Sequence, residues 1–251
     1  MEIRKPTIVL VHGAFAESAS WNGVIERLQA KGVHAVAVAN PLRSLAGDAQ
    51  YVRDVIASID GPVVLVGHSY GGLVITEAAS RNEQVVGLVY ASAFAPETGE
   101  SAFSLSATAP GSTLGESLAV YPVATGGNEF AIRIDAFHEQ FAADAPEAQA
   151  ALMAATQRPV TEAALTDGLP TDRPAWKDIP SWHVFGDQDH NIPVAVFRAG
   201  AERAGSRGTT EVAGASHAIS VSQPDAVVAT IAAAGRAYVE GRSETVGASA
   251  Q

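Results

Sequence analysis

Ser69 stands between two glycines, Gly67 and Gly71, directly after the apolar run 62–66 and before helix-forming sequence at 73–79. This order predicts a sharp turn from a strand into a helix. Such a turn crowds its neighbours, so the positions two before and two after the serine must lack a large side chain. The turn would expose the Ser69 hydroxyl at the carboxyl edge of a parallel sheet, where the first amides of the helix direct their partial positive charge toward it. The chemistry expected of such a serine is nucleophilic attack.

A serine hydroxyl is a weak nucleophile at neutral pH, so it needs a histidine base and a carboxylate that orients the histidine. The sequence supplies both after later predicted strands. Asp187 and Asp189 lie in the segment 186–193, and His217 lies in the segment 214–218. One of the two aspartates could instead bond the amides of its own turn. We therefore expect Ser69, His217 and one aspartate to form a catalytic triad.

The elements that would position these residues follow a regular rhythm. Apolar runs alternate with amphipathic stretches, which is typical of a parallel sheet wrapped by helices. The sequence predicts strands at 7–11, 33–39, 62–66, 85–90, 182–185 and 209–212. It predicts helices at about 20–31, 48–59, 73–79, 193–204 and 224–239. The predicted class is therefore α/β, with a mainly parallel central sheet flanked by helices.

The rhythm breaks between 96 and 179. Turn signals are scattered through this segment, and the pieces 130–142 and 146–157 resemble helices. We interpret it as a helical cap inserted over the edge of the sheet. The predicted organisation is a core of residues 1–95 and 180–240, a cap of residues 96–179, and a flexible tail of residues 241–251 that is rich in small and polar residues.

Composition restricts the classes of function. The chain has 251 residues, 47% of them hydrophobic, and a formal net charge of -11. This acidity disfavours nucleic acid and anionic membrane surfaces as partners. The absence of cysteine excludes disulfides, thiolate nucleophiles and thiolate metal sites. Neither an apolar secretory segment nor a run of about 18 apolar residues is present, so we expect a cytoplasmic protein. The expected oligomeric state is a monomer or a homodimer.

These motifs resemble the α/β-hydrolase superfamily over residues 7–239. The segments 7–14 (TIVLVHGA) and 67–72 (GHSYGG) are most similar to the compact branch of esterases, plant methylesterases and hydroxynitrile lyases. The order serine, acid, histidine is also that of this superfamily. The resemblance implies that Asp189, three residues after a glycine, is the acid, and that Asp187 shapes the turn. It further implies that the backbone amides of Ala14 and Tyr70 form the oxyanion hole.

The reaction expected from this resemblance is hydrolysis of a carboxylic ester through an acyl-enzyme on Ser69, with no cofactor and no metal. A lactonase, thioesterase, perhydrolase or hydroxynitrile lyase could use the same triad, and a noncatalytic receptor for small molecules could keep the same pocket. Hydroxynitrile lyases of this branch carry a threonine and a lysine where this chain has Gly13 and Ala218. Hydrolases of this fold with an aspartate nucleophile are excluded by Ser69.

The cap segment is rich in apolar side chains, which suits a small to medium hydrophobic ester as substrate. Candidate substrate-binding residues are Phe15 and Trp21, near the first loop, and Phe137 and His138, in the cap. The alternative for the apolar side chains is that they pack the core. Residue type alone leaves both possibilities open.

Overall fold

The computed structural model describes residues 4–124 and 126–248. The strands are β1 (Thr7–Val11), β2 (Ala35–Val38), β3 (Val63–His68), β4 (Val85–Ala91), β5 (Leu118–Pro122), β6 (Asn128–Ile132), β7 (Val160–Thr161), β8 (Ser181–Gly186) and β9 (Thr209–Val212). The helices are α1 (Asn22–Ala30), α2 (Leu45–Ala57), α3 (Gly71–Ala78), α4 (Ala102–Ser106), α5 (Phe137–Phe141), α6 (Glu147–Thr156), α7 (Glu162–Thr166), α8 (Val194–Arg203), α9 (Ile219–Ser222) and α10 (Pro224–Ala248).

Six parallel strands form the central sheet in the order β2-β1-β3-β4-β8-β9. Every residue of β3 and of β8 is buried, because helices cover both faces of the sheet. At the centre of the sheet, β3 pairs with β1 and β4, and Val66 of β3 lies opposite Leu10 of β1 and Val89 of β4. The predicted parallel sheet flanked by helices is therefore confirmed.

Two apolar cores lie on the two faces of this sheet. The first core contains side chains of α2, α3, α8 and the cap. The second core contains side chains of α1, α9 and α10, and also Trp21. The strand order reverses between β1 and β3, since the chain adds β2 on one side of β1 and β3 on the other. Such a switch point opens a crevice at the carboxyl ends of the two strands.

The cap between β4 and β8 contains strands as well as helices. β5, β6 and β7 form a separate antiparallel sheet of three strands, in which Val120 pairs with Phe130. The prediction of a helical cap did not include this sheet, and only 137–141 of the predicted helical piece 130–142 is helical. Gly126 and Gly127, both with positive φ, lie in the turn between β5 and β6 and permit the hairpin.

The closing helix α10 is longer than predicted. It extends to Ala248, past the predicted end at 239, so residues 241–248 of the predicted flexible tail are helical. Glutamate, arginine and alanine favour a helix there, and a glycine lowers helix stability without ending the helix. Residues 249–251 lie outside the described residues. Within the described part of the chain, no helix combines the length and the apolar character needed to cross a membrane.

Candidate active site

Ser69 lies in the sharp turn between β3 and α3. Its φ is +55°, the left-handed conformation that forces the side chain out of the turn. A Cβ on Gly67 would come within 2.6 Å of the Gly71 carbonyl oxygen, and a Cβ on Gly71 within 2.4 Å of the Val11 carbonyl oxygen. Neither position can hold a side chain, so the two glycines are a steric requirement of the turn.

The loop after β1 packs directly against this turn. A Cβ on Gly13 would lie 2.6 Å from the Cβ of Ser69 and 3.2 Å from its Oγ. The close approach places Ala14, the next residue, at the switch point between β1 and β3. The loop after β1 can approach Ser69 this closely because Gly13 has no side chain.

Asp189 and His217 form a buried pair. The Nδ1 atom of His217 lies 2.6 Å from Oδ2 of Asp189, and the two side chains are 1% and 0% exposed. The other carboxylate oxygen, Oδ1, accepts hydrogen bonds of 2.8 Å from the amides of Asn191 and Ile192. With Nδ1–H donating to the carboxylate, Nε2 of His217 is left to accept a proton. This is the arrangement of a general base held by an acid.

His68 connects the segment 214–218, called the histidine loop, to the turn at 67–71, called the elbow. Its Nε2 donates a hydrogen bond of 2.9 Å to the carbonyl oxygen of His217, and the two rings lie 4.7 Å apart. Burial keeps His68 neutral by lowering its pKa well below the usual value. Within the described part of the chain the Ser69 hydroxyl makes no hydrogen bond. The contact between a nucleophile and its base is often long in a structure without substrate and tightens only when substrate binds.

Asp187 has a different partner. Its Oδ1 accepts a hydrogen bond of 2.7 Å from the amide of Gly214. The carboxylate therefore ties the loop after β8 to the loop that carries His217, without contacting the imidazole. The two aspartates of the motif thus have separate positions, with Asp189 on His217 and Asp187 on the neighbouring backbone.

Two backbone amides beside Ser69 are free to bind an oxyanion. The amides of Ala14 and Tyr70 donate no hydrogen bond to any part of the chain that the structure describes. The amide of Phe15 is already used, since it donates to the carbonyl oxygen of Arg158 at 3.2 Å. Both Ala14 and Tyr70 line the same cavity as Ser69. Their amides are therefore available as the two donors that the resemblance implied.

The Tyr70 side chain anchors the elbow to α2. Its hydroxyl donates a hydrogen bond of 2.9 Å to Oδ2 of Asp48, and both residues are buried. Asp48 also accepts a bond from the amide of Arg43, and desolvation raises the pKa of its carboxyl group. Sequence reasoning missed Asp48, because a single aspartate in the first turn of a helix has the pattern of a solvated residue.

The cavity over Ser69 has a volume of about 300 Å³ and lies between the core and the cap. It is lined by apolar and uncharged polar groups only, within the described residues. The lining consists of Ala14, Phe15, Ser69, Tyr70, Phe94, Ala102, Phe103, Ser106, Ala107, Ser112, Leu114, Gly115, Leu118, Leu165, Asn191 and Ile192. The candidates chosen from the sequence include none of the cap residues in this set, since their position depends on how the cap folds back.

Of the four candidate substrate-binding residues, Phe15 lines this cavity and the other three do not. Trp21 is fully buried in the second core, with its ring perpendicular to that of His68. Phe137 is fully buried and stacks on Phe141. His138 is held by a contact of 2.9 Å between its Nε2 and the Ala145 carbonyl oxygen. These three placements correct the sequence expectation, because packing and lining use the same residue types.

A second cavity, of about 310 Å³, lies between α1 and α10 and includes Gly235 in its wall. It has neither a hydroxyl nor an imidazole group among its lining residues, which are Lys5, Pro6, Ile8, Leu28, Lys31, Val33, Ile231, Ala232, Gly235, Arg236, Val239 and Glu240. Ser69 lines the cavity under the cap instead, together with Ala14 and Tyr70.

Comparison with known proteins agrees with the fold. Residues 8–230 match the alpha/beta hydrolase family, so the chain belongs to this family. An alpha/beta hydrolase, nvfD, of Aspergillus novofumigatus is 29% identical over 248 residues, which cover 90% of this chain and 95% of that protein. A carbendazim hydrolyzing esterase of Nocardioides sp. is 47% identical over 60 residues, which cover 22% of this chain and 25% of that protein.

The fold is also found among solved structures. The crystal structure of polyneuridine aldehyde esterase matches with a TM-score of 0.76 and 21% identity, and the match covers 90% of this chain and 97% of that one. At this level of identity the similarity establishes the shared fold alone.

Proposed function

We propose that this protein is a serine hydrolase that cleaves carboxylic esters with small to medium hydrophobic groups. The observation that carries the proposal is the buried contact of 2.6 Å between His217 and Asp189, on a histidine loop bound to the residue before Ser69. The name of a similar protein, a carbendazim hydrolyzing esterase, supports ester hydrolysis.

In the first step, Oγ of Ser69 attacks the ester carbonyl carbon while Nε2 of His217 takes the hydroxyl proton. The carbonyl π electrons move to oxygen and give a tetrahedral oxyanion. The oxyanion collapses, the bond to the alkoxide breaks, and the alcohol leaves with the proton from His217. The product of this step is an acyl group on Ser69, and Asp189 stabilises the imidazolium that forms on the way.

In the second step, water attacks the acyl-enzyme. His217 takes a proton from the water, and the second oxyanion forms at the same place as the first. Its collapse releases the carboxylic acid and returns the proton to Oγ of Ser69. The amides of Ala14 and Tyr70 stabilise both oxyanions, and each such donor contributes about 100- to 1000-fold to turnover.

The cavity supports the choice of substrate. Its lining carries no charged side chain among the described residues, so a charged acyl group would lose its hydration without gaining a partner. Phe15, Phe94 and Leu165 offer apolar surface to an aliphatic or aromatic group instead. A neutral hydrophobic ester is therefore the substrate class that fits.

The test is release of p-nitrophenol from acetate, butyrate and octanoate esters by the wild type and by Ser69→Ala, with intact-mass detection of an acylated protein. We expect hydrolysis and a transient acyl adduct with the wild type only. Ser69→Ala should remain folded, because it removes one partly enclosed hydroxyl that makes no hydrogen bond within the described chain. Turnover that persists in Ser69→Ala, or a folded wild type with neither turnover nor adduct, would contradict the proposal; the second result would point to a receptor.

A further inference from the structure

The loop after β1, residues 12–17, carries the Ala14 amide and is called the oxyanion loop. An ion pair fastens this loop to the cap. Nε of Arg158 lies 2.9 Å from Oε1 of Glu17, and its Nη2 donates to Oε2 at 3.2 Å. The carbonyl oxygen of Arg158 also accepts the amide of Phe15. Side chain and main chain of one cap residue therefore hold two points of the loop that follows β1.

The cap segment that carries Arg158 is itself fixed on both sides. The side chain of Gln157 accepts from the amide and donates to the carbonyl of Ile132 in β6, each at 2.8 Å. The amide of Thr161 donates to the carbonyl of Leu42 at 3.1 Å. Arg158 thus stands on a rigid support rather than on a free loop.

The oxyanion loop needs such support because its backbone is strained. Phe15 has a φ of +61°, which is unfavourable for a residue with a side chain. The surroundings must hold this conformation, since relaxation of φ at Phe15 would rotate the peptide planes on either side. The rotation would be passed on to the preceding peptide, between Gly13 and Ala14, and would move the Ala14 amide from its place beside Ser69 in the cavity wall.

We propose that Glu17 and Arg158 are positioning residues that hold the Ala14 amide in the orientation that stabilises the oxyanion. The inference rests on the proposed serine hydrolase function. Neither residue lines the cavity over Ser69, so both act through the loop and not on the substrate. The arrangement also couples catalysis to the cap, because the loop adopts its active conformation only when the segment 157–161 is docked.

The decisive variant is Glu17→Gln, which keeps the size of the side chain and removes its charge. We expect kcat for the butyrate ester to fall about 10- to 100-fold while KM stays within about twofold, because the loss is confined to the transition state. A trifluoromethyl ketone, which Ser69 converts to an oxyanionic hemiketal, should lose affinity by the same factor. The matching methyl ketone should bind equally well to both proteins.

Arg158→Lys is the conservative companion, because a lysine can keep one ionic contact and the backbone carbonyl remains. Its kcat should lie between those of the wild type and Glu17→Gln. The matched control is Glu100→Gln, since Glu100 pairs with Arg203 in a similar two-point contact and at similar exposure. The Glu17 and Arg158 side chains are 28% and 34% exposed, and those of Glu100 and Arg203 are 29% and 34%. The control should lose comparable thermal stability and keep its kcat.

A Glu17→Gln protein with wild-type kcat and wild-type affinity for the trifluoromethyl ketone would overturn the inference and leave the serine hydrolase intact. If Glu17→Gln does not fold, wild-type kcat in Arg158→Lys overturns it equally. A wild type that neither hydrolyses the esters nor binds the trifluoromethyl ketone would overturn the proposed function together with this inference.

Discussion

Both carboxylate oxygens of Asp189 have assigned partners, one on the imidazole of His217 and one on two backbone amides. The amides fix the rotation of the carboxylate, and the carboxylate fixes the tautomer of the histidine. Asp187 instead accepts a hydrogen bond from the amide of Gly214. The two residues are chemically identical and differ only in what they contact.

This difference predicts unequal effects of the same substitution. Asp189→Asn should lower kcat about 10³- to 10⁴-fold, because the amide no longer holds the tautomer with a free Nε2. Asp187→Asn should lower it less than about tenfold, since the asparagine oxygen can still accept the amide of Gly214. Steady-state kinetics on one ester, with circular dichroism as a check of folding, measures both. Comparable losses would show that the acid has been assigned to the wrong aspartate.

His183 predicts a pH effect on stability. It is buried and stacks on Tyr90, neither ring nitrogen has a partner in the described structure, and burial lowers its pKa to about 3. Between this value and the usual 6.5, the unfolded chain binds a proton that the folded chain does not, so stability falls as the pH drops below 6.5. From pH 7.5 to pH 5 this histidine should cost about 2 kcal/mol.

The measurement is urea unfolding at pH 7.5 and pH 5. His183→Phe keeps a flat buried ring, and it should lose about 2 kcal/mol less than the wild type over this interval. His12, whose pKa burial lowers to about 4, remains in the variant and will retain part of the pH dependence. His34→Gln is the control, because His34 is exposed and should leave the loss unchanged. An equal loss in wild type and His183→Phe would contradict the argument.

At the level of elements, α10 contains a glycine that its packing does not require. A Cβ on Gly235 would have Pro6 Cγ, at 4.0 Å, as its nearest neighbour, because the residue borders the cavity between α1 and α10. Gly72 in α3 has no such room, since a Cβ there would lie 2.2 Å from the carbonyl oxygen of Phe94. Close packing therefore requires glycine at position 72, whereas the space around position 235 would admit a side chain.

Gly235→Ala should raise the free energy of unfolding by about 0.5–1 kcal/mol, because alanine loses less backbone entropy in a helix. Gly72→Ala should lower it by about 1–3 kcal/mol, because the backbone must move to admit the methyl group. Denaturant unfolding at one pH gives both values. Destabilisation by Gly235→Ala would mean that the cavity wall is closer than the structure indicates.

At the level of the whole molecule, a net charge of -11 surrounds a cavity that has no charged lining among the described residues. Both properties act against an anionic substrate. Long-range repulsion slows the approach of an anionic substrate, and salt weakens this repulsion. Salt does not reduce the free-energy cost of desolvating a carboxylate inside the cavity.

A matched pair of esters separates these effects. We expect p-nitrophenyl hemisuccinate to be hydrolysed with a kcat/KM at least about 100-fold below that of p-nitrophenyl 4-methylpentanoate, in which an isopropyl group replaces the carboxylate. Addition of 0.5 M NaCl, at which the Debye length is about 4 Å, should recover only a small part of the difference. Equal rates for the two esters would show that the acyl group does not enter the cavity.

The sequence alone determined the parts of this protein that depend on neighbouring residues. The elbow at Ser69 follows from local steric limits at Gly67 and Gly71, and the parallel sheet follows from strands that must be apolar on both faces. The positions of Asp189 and His217 follow from strand ends, because parallel strands bring their carboxyl ends to one edge. These features are encoded within a few residues of where they occur.

The tertiary structure decided what depends on distant residues meeting. Phe15 and Trp21 are both large aromatic residues near the first loop, yet one lines the cavity and the other is buried in the second core. The hairpin of the cap is stabilised by docking on the core, and the contact between Glu17 and Arg158 joins positions 141 residues apart. Apolar and charged side chains have the same local signature wherever they pack, so only the folded chain selects their partners.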